Sequence, residues 1–196
     1  MQEQLDPGTK HLGELVAWAK DKTSHKKSLF LVESLAPLVL GIKPSVLLNV
    51  SLEDQMQWKE FEELFTQQKK LKIKQIRKLN GRLQVIFYHM EMLDSVLRQK
   101  PIQDFLITLS YPEQYSLDSY LSLLKHKIIS FKFPHEVGVF LGYPLKDVLG
   151  FIGLQPLPYR RTQGWRIYGD DTPSNEVFEK CSQSRSMMRK LAGSTD

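Results

Sequence analysis

The side chains best suited to chemistry gather between residues 133 and 170. His135 and Glu136 are adjacent in the string FPHEVGVFLGYP. A histidine changes charge near neutral pH, and a carboxylate can orient it or share its proton, so the pair is a candidate general acid–base unit. Neighbours on a helix point about 100° apart, however, and no second histidine follows four positions on, so a zinc-protease arrangement is not indicated. The structural alternative is a helix start, with Pro134 in the first turn and Glu136 complementing the positive end of the dipole.

A second group mixes rings and guanidinium groups: Tyr159, Arg160, Arg161, Trp165, Arg166 and Tyr168. Such a mixture suits an anionic or planar ligand through bidentate and stacking contacts, and Tyr143 and Lys43 join it as candidate ligand-binding residues. Trp165 and Tyr168 equally suit the core side of an edge strand. A third group is basic: Lys69, Lys70, Lys74, Arg77 and Lys78 could contact phosphate, with Lys146 added from the 145–152 segment, or could form a solvated face. Cys181 falls on the apolar stripe of its helix, which suggests a buried, inert thiol. The other histidines are scattered, and no motif identifies a cofactor or a metal.

The elements that position these groups follow from apolar spacing. Leu12, Leu15, Val16 and Ala19 define a first helix. Residues 23–27 (TSHKK) read as a polar connector, and residues 29–40 as a second helix, interrupted at Pro37 and ended by Gly41. Residues 45–50 (SVLLNV) read as a strand. On a wheel of about 100° per residue, Trp58, Phe61, Leu64, Phe65, Leu71, Ile76 and Leu79 fall within an arc of roughly 120–140°, with the basic group opposite. One amphipathic helix over residues 52–79 is therefore expected, capped by Ser51, with Glu53 and Asp54 in its first turn and Asn80-Gly81 as a left-handed end. Residues 83–88 (LQVIFY) read as a strand covered on both faces. Helices follow over 90–99, 102–109 and 117–127, and residues 131–134 read as an extended link. Two short helices flank Gly142-Tyr143-Pro144, a Pro-rich loop covers 153–163, and a strand covers 165–168. A last helix is capped by Thr172.

The fold class expected is α/β, mixed and helix-rich. It comprises a small, mostly parallel sheet covered by helices, with a helix-turn-helix-like hairpin over 134–152. The expected division is residues 1–28 as an N-terminal helix and connector, 29–192 as a single α/β domain, and 193–196 as a frayed tail.

Composition bounds the rest. The chain has 196 residues, 41% of them apolar, enough for a core without staples. One cysteine excludes an internal disulfide and a cysteine-based zinc cage. No run of about 18 apolar residues exists and no signal peptide is evident, so a cytoplasmic location and no membrane partner are expected. The net charge of +5 admits anionic partners.

Three strings, LAPLVLGIKPSVLL (35–48), FPHEVGVFLGYPLKDVLGFI (133–152) and GWRIYGD (164–170), together resemble an uncharacterised bacterial domain family of unknown function, found mainly in anaerobes. Their order and spacing also match, and the resemblance covers roughly residues 29–185. It implies no activity, cofactor or partner. Typical members carry a His-Cys pair before the first Ala-Pro, where this chain has Ser34-Leu35, and a cysteine in the last helix where it has Ser184. A scaffold role for the first motif follows.

The function expected is small-ligand binding or regulation near the 134–144 hairpin and the 159–168 segment, with an anionic small molecule as partner. The alternatives are nucleic-acid binding through the 134–152 hairpin and the basic residues, or an enzyme using His135 as general acid or base. The reading face of the hairpin's second helix, LKDVLGFI, offers only Lys146 and Asp147 as polar groups, which disfavours base readout.

Overall fold

A computed structural model describes residues 6–51, 55–130 and 133–193. These fall into two compact units. One comprises the residues up to 89 together with those from 179 onward, and the other residues 90–178.

The first unit begins with α1 (Pro7–Lys20). Asp6 caps it by accepting hydrogen bonds from the backbone of Gly8 and Thr9 at 3.1 and 3.3 Å. The expected stripe of Leu12, Leu15, Val16 and Ala19 is buried. Next comes α2 (His25–Val39), which starts inside the stretch read as a connector and carries Pro37 within its last turn. The Pro37 carbonyl accepts from Ile42 and Lys43 at 2.8 and 3.0 Å, and Gly41 at φ +68° ends the helix as expected. Then follow β1 (Ser45–Ser51), α3 (Gln55–Thr66), β2 (Leu71–Leu79) and β3 (Arg82–His89).

The 52–79 segment corrects the sequence expectation. It is not one helix: α3 ends at Thr66 and the chain re-enters as β2. Ser51 belongs to β1 rather than capping a helix, and Glu53 and Asp54 lie outside the described residues. Asn80 and Gly81 do take left-handed backbone angles, φ 49° and 72°, but as the two-residue loop of a β2–β3 hairpin in which Leu79 faces Arg82. Two successive positive φ values match the right-handed twist of the flanking strands, which a helix end does not need. The sheet order is β1-β3-β2 and both pairings are antiparallel, so the sheet is not mostly parallel. The segment expected to cross over from residues 45–50 to 83–88 is divided into α3 and β2, and β2 turns straight back into β3 as a hairpin, so no helical crossover leads directly into β3.

One face of this sheet is apolar. Val46, Leu83, Val85 and Phe87 pack with Phe61 and Phe65 of α3 and the buried stripes of α1 and α2. Phe87 sits edge-on to Phe61 and Phe65, with centroids at 6.0 and 5.3 Å. The register slips at Ile76, so Lys78 rather than Arg77 opposes Leu83.

The second unit contains α4 (Met90–Leu97), α5 (Lys100–Thr108), α6 (Leu117–Ser130), α7 (Val137–Phe140) and α8 (Leu145–Phe151). A hairpin of β4 (Tyr159–Gln163) and β5 (Trp165–Tyr168) follows. The Pro-rich loop therefore ends in a strand at Tyr159, and of the expected 131–134 link, residues 131 and 132 lie outside the described residues. The last helix, α9 (Thr172–Leu191), contributes its first turns, through Phe178, to this unit and the rest to the other. Its start is held by Asp170, which accepts from the Thr172 backbone at 3.0 Å. Gly193 is described, whereas the rest of the expected tail, 194–196, lies outside the described residues.

Phe87 is fully buried at the centre of the aromatic cluster. Phe87→Ala is expected to remove about 3–5 kcal/mol of stability, read as a shift in the urea midpoint, because the surrounding rings cannot collapse into the space. Lys78→Ala, on the exposed end of β2, is expected to change it by less than about 0.5 kcal/mol.

Candidate functional site

The segment 134–168 folds around one carboxylate. Asp147, in the first turn of α8, is 2% exposed and accepts four hydrogen bonds. Its Oδ1 receives Lys146 Nζ at 2.6 Å and the Tyr168 backbone N–H at 2.8 Å. Its Oδ2 receives Ser174 Oγ at 2.6 Å and Trp165 Nε1 at 2.8 Å. Lys146 Nζ donates further to the Tyr168 carbonyl at 2.8 Å and bonds Ser174 Oγ at 3.0 Å. Burial alone would raise the Asp147 pKa, but the bonds from Lys146, Ser174, Tyr168 and Trp165 outweigh it and hold the carboxyl below its usual range.

This network requires close approach between α8 and β5. A Cβ on Gly150 would meet Tyr168 Cγ at 2.6 Å, and one on Gly138 would meet Val148 Cγ2 at 2.8 Å. Gly142, at φ +75°, turns the chain between α7 and α8.

Trp165, held through its indole N–H, stacks on Tyr143 with centroids 4.6 Å apart and planes 16° from parallel. Beside this stack is a cleft of about 290 Å³ with walls from Phe133, Val137, Val148, Phe151 and Trp165. His135 and Arg166 stand at its edge. His135 meets Phe151 edge-on at 4.9 Å, and the Arg166 guanidinium lies 5.3 Å from the same ring centre. Both residues are exposed, and among the described residues neither side chain has a hydrogen-bond or ion-pair partner.

The candidates of the sequence thus separate. His135, Tyr143, Trp165 and Arg166 meet at the cleft. Glu136 does not: its carboxylate is buried and paired with Lys127 at 2.8 Å, and Lys127 also caps the Leu109 carbonyl and lies over the Tyr111 ring. His135 and Glu136 lie in the turn that precedes α7 rather than within a helix, and their side chains diverge there, so Glu136 does not face the histidine's target. Nor does it cap α7 through its side chain. Arg161 is bound to Asp171, Asn175 and Gln163, and Arg160 donates to the Gly169 carbonyl at 3.1 Å. Tyr168 packs edge-on to Tyr159 at 5.8 Å.

Lys43 lies in the first unit, where burial lowers its pKa to about 8; Cys181 opposes that shift and Arg185 adds to it. Cys181 itself is buried, which raises its pKa. Lys69 and Lys70 occupy the turn before β2, while Lys74, Arg77 and Lys78 lie on that strand rather than on a helix. Arg77 donates to Gln84 at 3.0 Å. Lys146, a candidate phosphate contact under the alternative nucleic-acid reading, is turned onto Asp147 at 2.6 Å.

The residues that sequence reasoning passed over are Asp147, Ser174, Phe151 and Phe133. The signal for Asp147 was available: a single Lys-Asp pair in an otherwise apolar helix has to be satisfied internally. Ser174 carried no signal, since its partner is distant in sequence.

A family model described as a protein of unknown function, DUF3793, matches residues 31–195. The chain belongs to this family. No curated protein and no solved structure matches it. The DUF3793 match spans both the cleft and the Asp147 network. Among the described residues, no cluster of three or more His, Cys, Asp or Glu side chains could hold a metal ion, and no helix is long and apolar enough to cross a membrane.

Asp147→Asn should cost about 2–4 kcal/mol, because it removes the counter-charge of the half-buried Lys146 ammonium and unbalances a buried network of four hydrogen bonds. The native carboxyl is depressed, so its contribution is complete above the unfolded value of about 4 and is lost as pH falls through the lower folded value. The stability gap between wild type and Asp147→Asn should therefore hold above about pH 4 and narrow below it, measured by urea titration at each pH. Gly150→Ala should cost about 1–3 kcal/mol by forcing Tyr168 out of place, read by thermal melting.

Proposed function

We propose that this DUF3793 protein binds a small, largely apolar ligand in the cleft edged by His135 and Arg166. The observation that carries this reading is the cleft itself. It is concave, its walls are almost wholly apolar, and polar groups stand only at its edge. Small-molecule sites combine an apolar lining with a few polar groups that fix orientation. The cleft has a prepared wall, because Trp165 is fixed by Asp147 on one side and by the Tyr143 ring on the other. Its ligand does not have to order these two side chains, which lowers the entropic cost of binding.

Its size, about 290 Å³, lies at the lower end of ligand pockets and selects a compact ligand over a dinucleotide. Binding or regulation is favoured over acid–base catalysis because the nearest carboxylates, Glu136 and Asp147, are both bound to lysines.

Amide chemical-shift mapping against a library of compounds of about ten heavy atoms tests the proposal. Hits should move the amides of residues 135–151 and 165–166. They should bind Phe151→Ala at least about tenfold more weakly, since the substitution removes one wall. Hits that map elsewhere, or that bind Phe151→Ala unchanged, would remove the cleft from contention.

A further inference from the structure

The polar edge of the cleft restricts the ligand's chemistry. We infer that the cleft takes an aromatic carboxylate, its ring between the Phe151 and Trp165 walls and its carboxylate on Arg166. This deepens the reading above and rests on it.

Three observations support the choice. Arg166 places its guanidinium over the Phe151 ring, an arrangement that uses the face of the cation and leaves its in-plane N–H donors available. Among the described residues no carboxylate pairs with it. Its nearest counterparts elsewhere in the hairpin, Arg160 and Arg161, are held by the Gly169 carbonyl and by Asp171. Arg166 is thus the guanidinium that this hairpin leaves open, and a planar fork of donors matches a planar carboxylate.

His135 meets the edge of the same Phe151 ring, 4.9 Å away. Two potential donors therefore flank a single aromatic side chain at the mouth of the cleft. A carboxylate offers an oxygen to each of the two and the charge that complements the Arg166 guanidinium, which a neutral hydroxyl lacks.

The interior fixes the rest of the ligand. Phe133, Phe151 and Trp165 present aromatic surface, and the polar atoms within reach of the wall are spoken for: the Trp165 N–H is given to Asp147. A hydrated inorganic anion would have to lose water against these walls without replacement partners. An aromatic ring gains offset or edge contacts there. The Asp147 carboxylate, which also borders the cleft, repels a ligand anion weakly because Lys146 compensates it at 2.6 Å and it is turned to its four donors.

Isothermal titration of the full chain with benzoate and 2-naphthoate tests the inference, with benzamide and 2-naphthamide as neutral isosteres and acetate as the ring-free acid. Amide shift mapping locates each probe. The acids should bind at least about tenfold more tightly than the amides, the difference expected for a charge-assisted bond. Acetate should give no binding. Arg166→Met should abolish the acid–amide difference while leaving the amides' affinity and the far-ultraviolet circular dichroism unchanged, an effect that general unfolding cannot mimic. Amides that bind as tightly as acids in the cleft would overturn the carboxylate and leave the apolar site standing. An acid–amide difference that survives Arg166→Met would overturn the role of Arg166 and with it the inference. Acetate binding as tightly as benzoate would overturn the aromatic body. If none of the probes moves cleft amides, the aromatic carboxylate is overturned, while the library screen above decides the cleft itself.

Discussion

A buried carboxylate cannot stay charged without partners, and the part of the second unit where α8, β5 and the first turn of α9 meet is arranged to satisfy that condition for Asp147. Its two oxygens draw one donor from the helix that carries it, two from β5 and one from the first turn of α9. In a medium of low polarity each bond is stronger than in water, and each absent bond would be more costly. The arrangement therefore specifies one geometry rather than many. Three segments separated by up to 27 positions in sequence are held at hydrogen-bond distance from a single side chain.

The cleft is a consequence of that constraint. Asp147 takes the Trp165 indole N–H, which sets the plane of the ring. The ring in turn stacks on Tyr143 and presents its apolar surface next to Phe151 and Val148. Close packing of α8 on β5 requires the absent side chain at Gly150, and packing of α7 on α8 requires the one at Gly138. Polar satisfaction at the hub thus produces an apolar hollow beside it. The first unit follows a different logic. Its sheet and helices are joined by a ring cluster of Phe61, Phe65 and Phe87, in which shape and area carry the packing.

Where sequence pattern failed, a specific physical signal had been outweighed. Leu71-Lys72-Ile73-Lys74 alternates strictly, the mark of a strand with one covered face, and Asn80-Gly81 is a strong hairpin signal. The wheel nevertheless gathered Leu71, Ile76 and Leu79 onto the stripe of α3, because apolar positions spaced by three to five residues satisfy a helical period by accident. No glycine or proline interrupts residues 55–79 to separate the two elements. The slip at Ile76 also breaks the alternation midway through β2, which weakened the competing pattern. His135 and Glu136, read as neighbours on a helix, instead form the turn before α7, and their side chains part there because Glu136 is drawn to Lys127.

What sequence alone determined is the set of elements whose cause is local: the stripe of α1, the end of α2 at Gly41, the strand of residues 83–88, the two short helices around Gly142, and the final helix. These depend on side chains a few positions apart, and spacing records such relations directly. Tertiary structure decided which strands pair and in which direction, that Arg160 and Arg161 are consumed by neighbours while Arg166 is not, and that Asp147 rather than His135-Glu136 is the centre of the segment. Each of those depends on groups distant along the chain arriving within about 3 Å of each other, the range over which hydrogen bonds act. Composition and periodicity carry no record of that encounter.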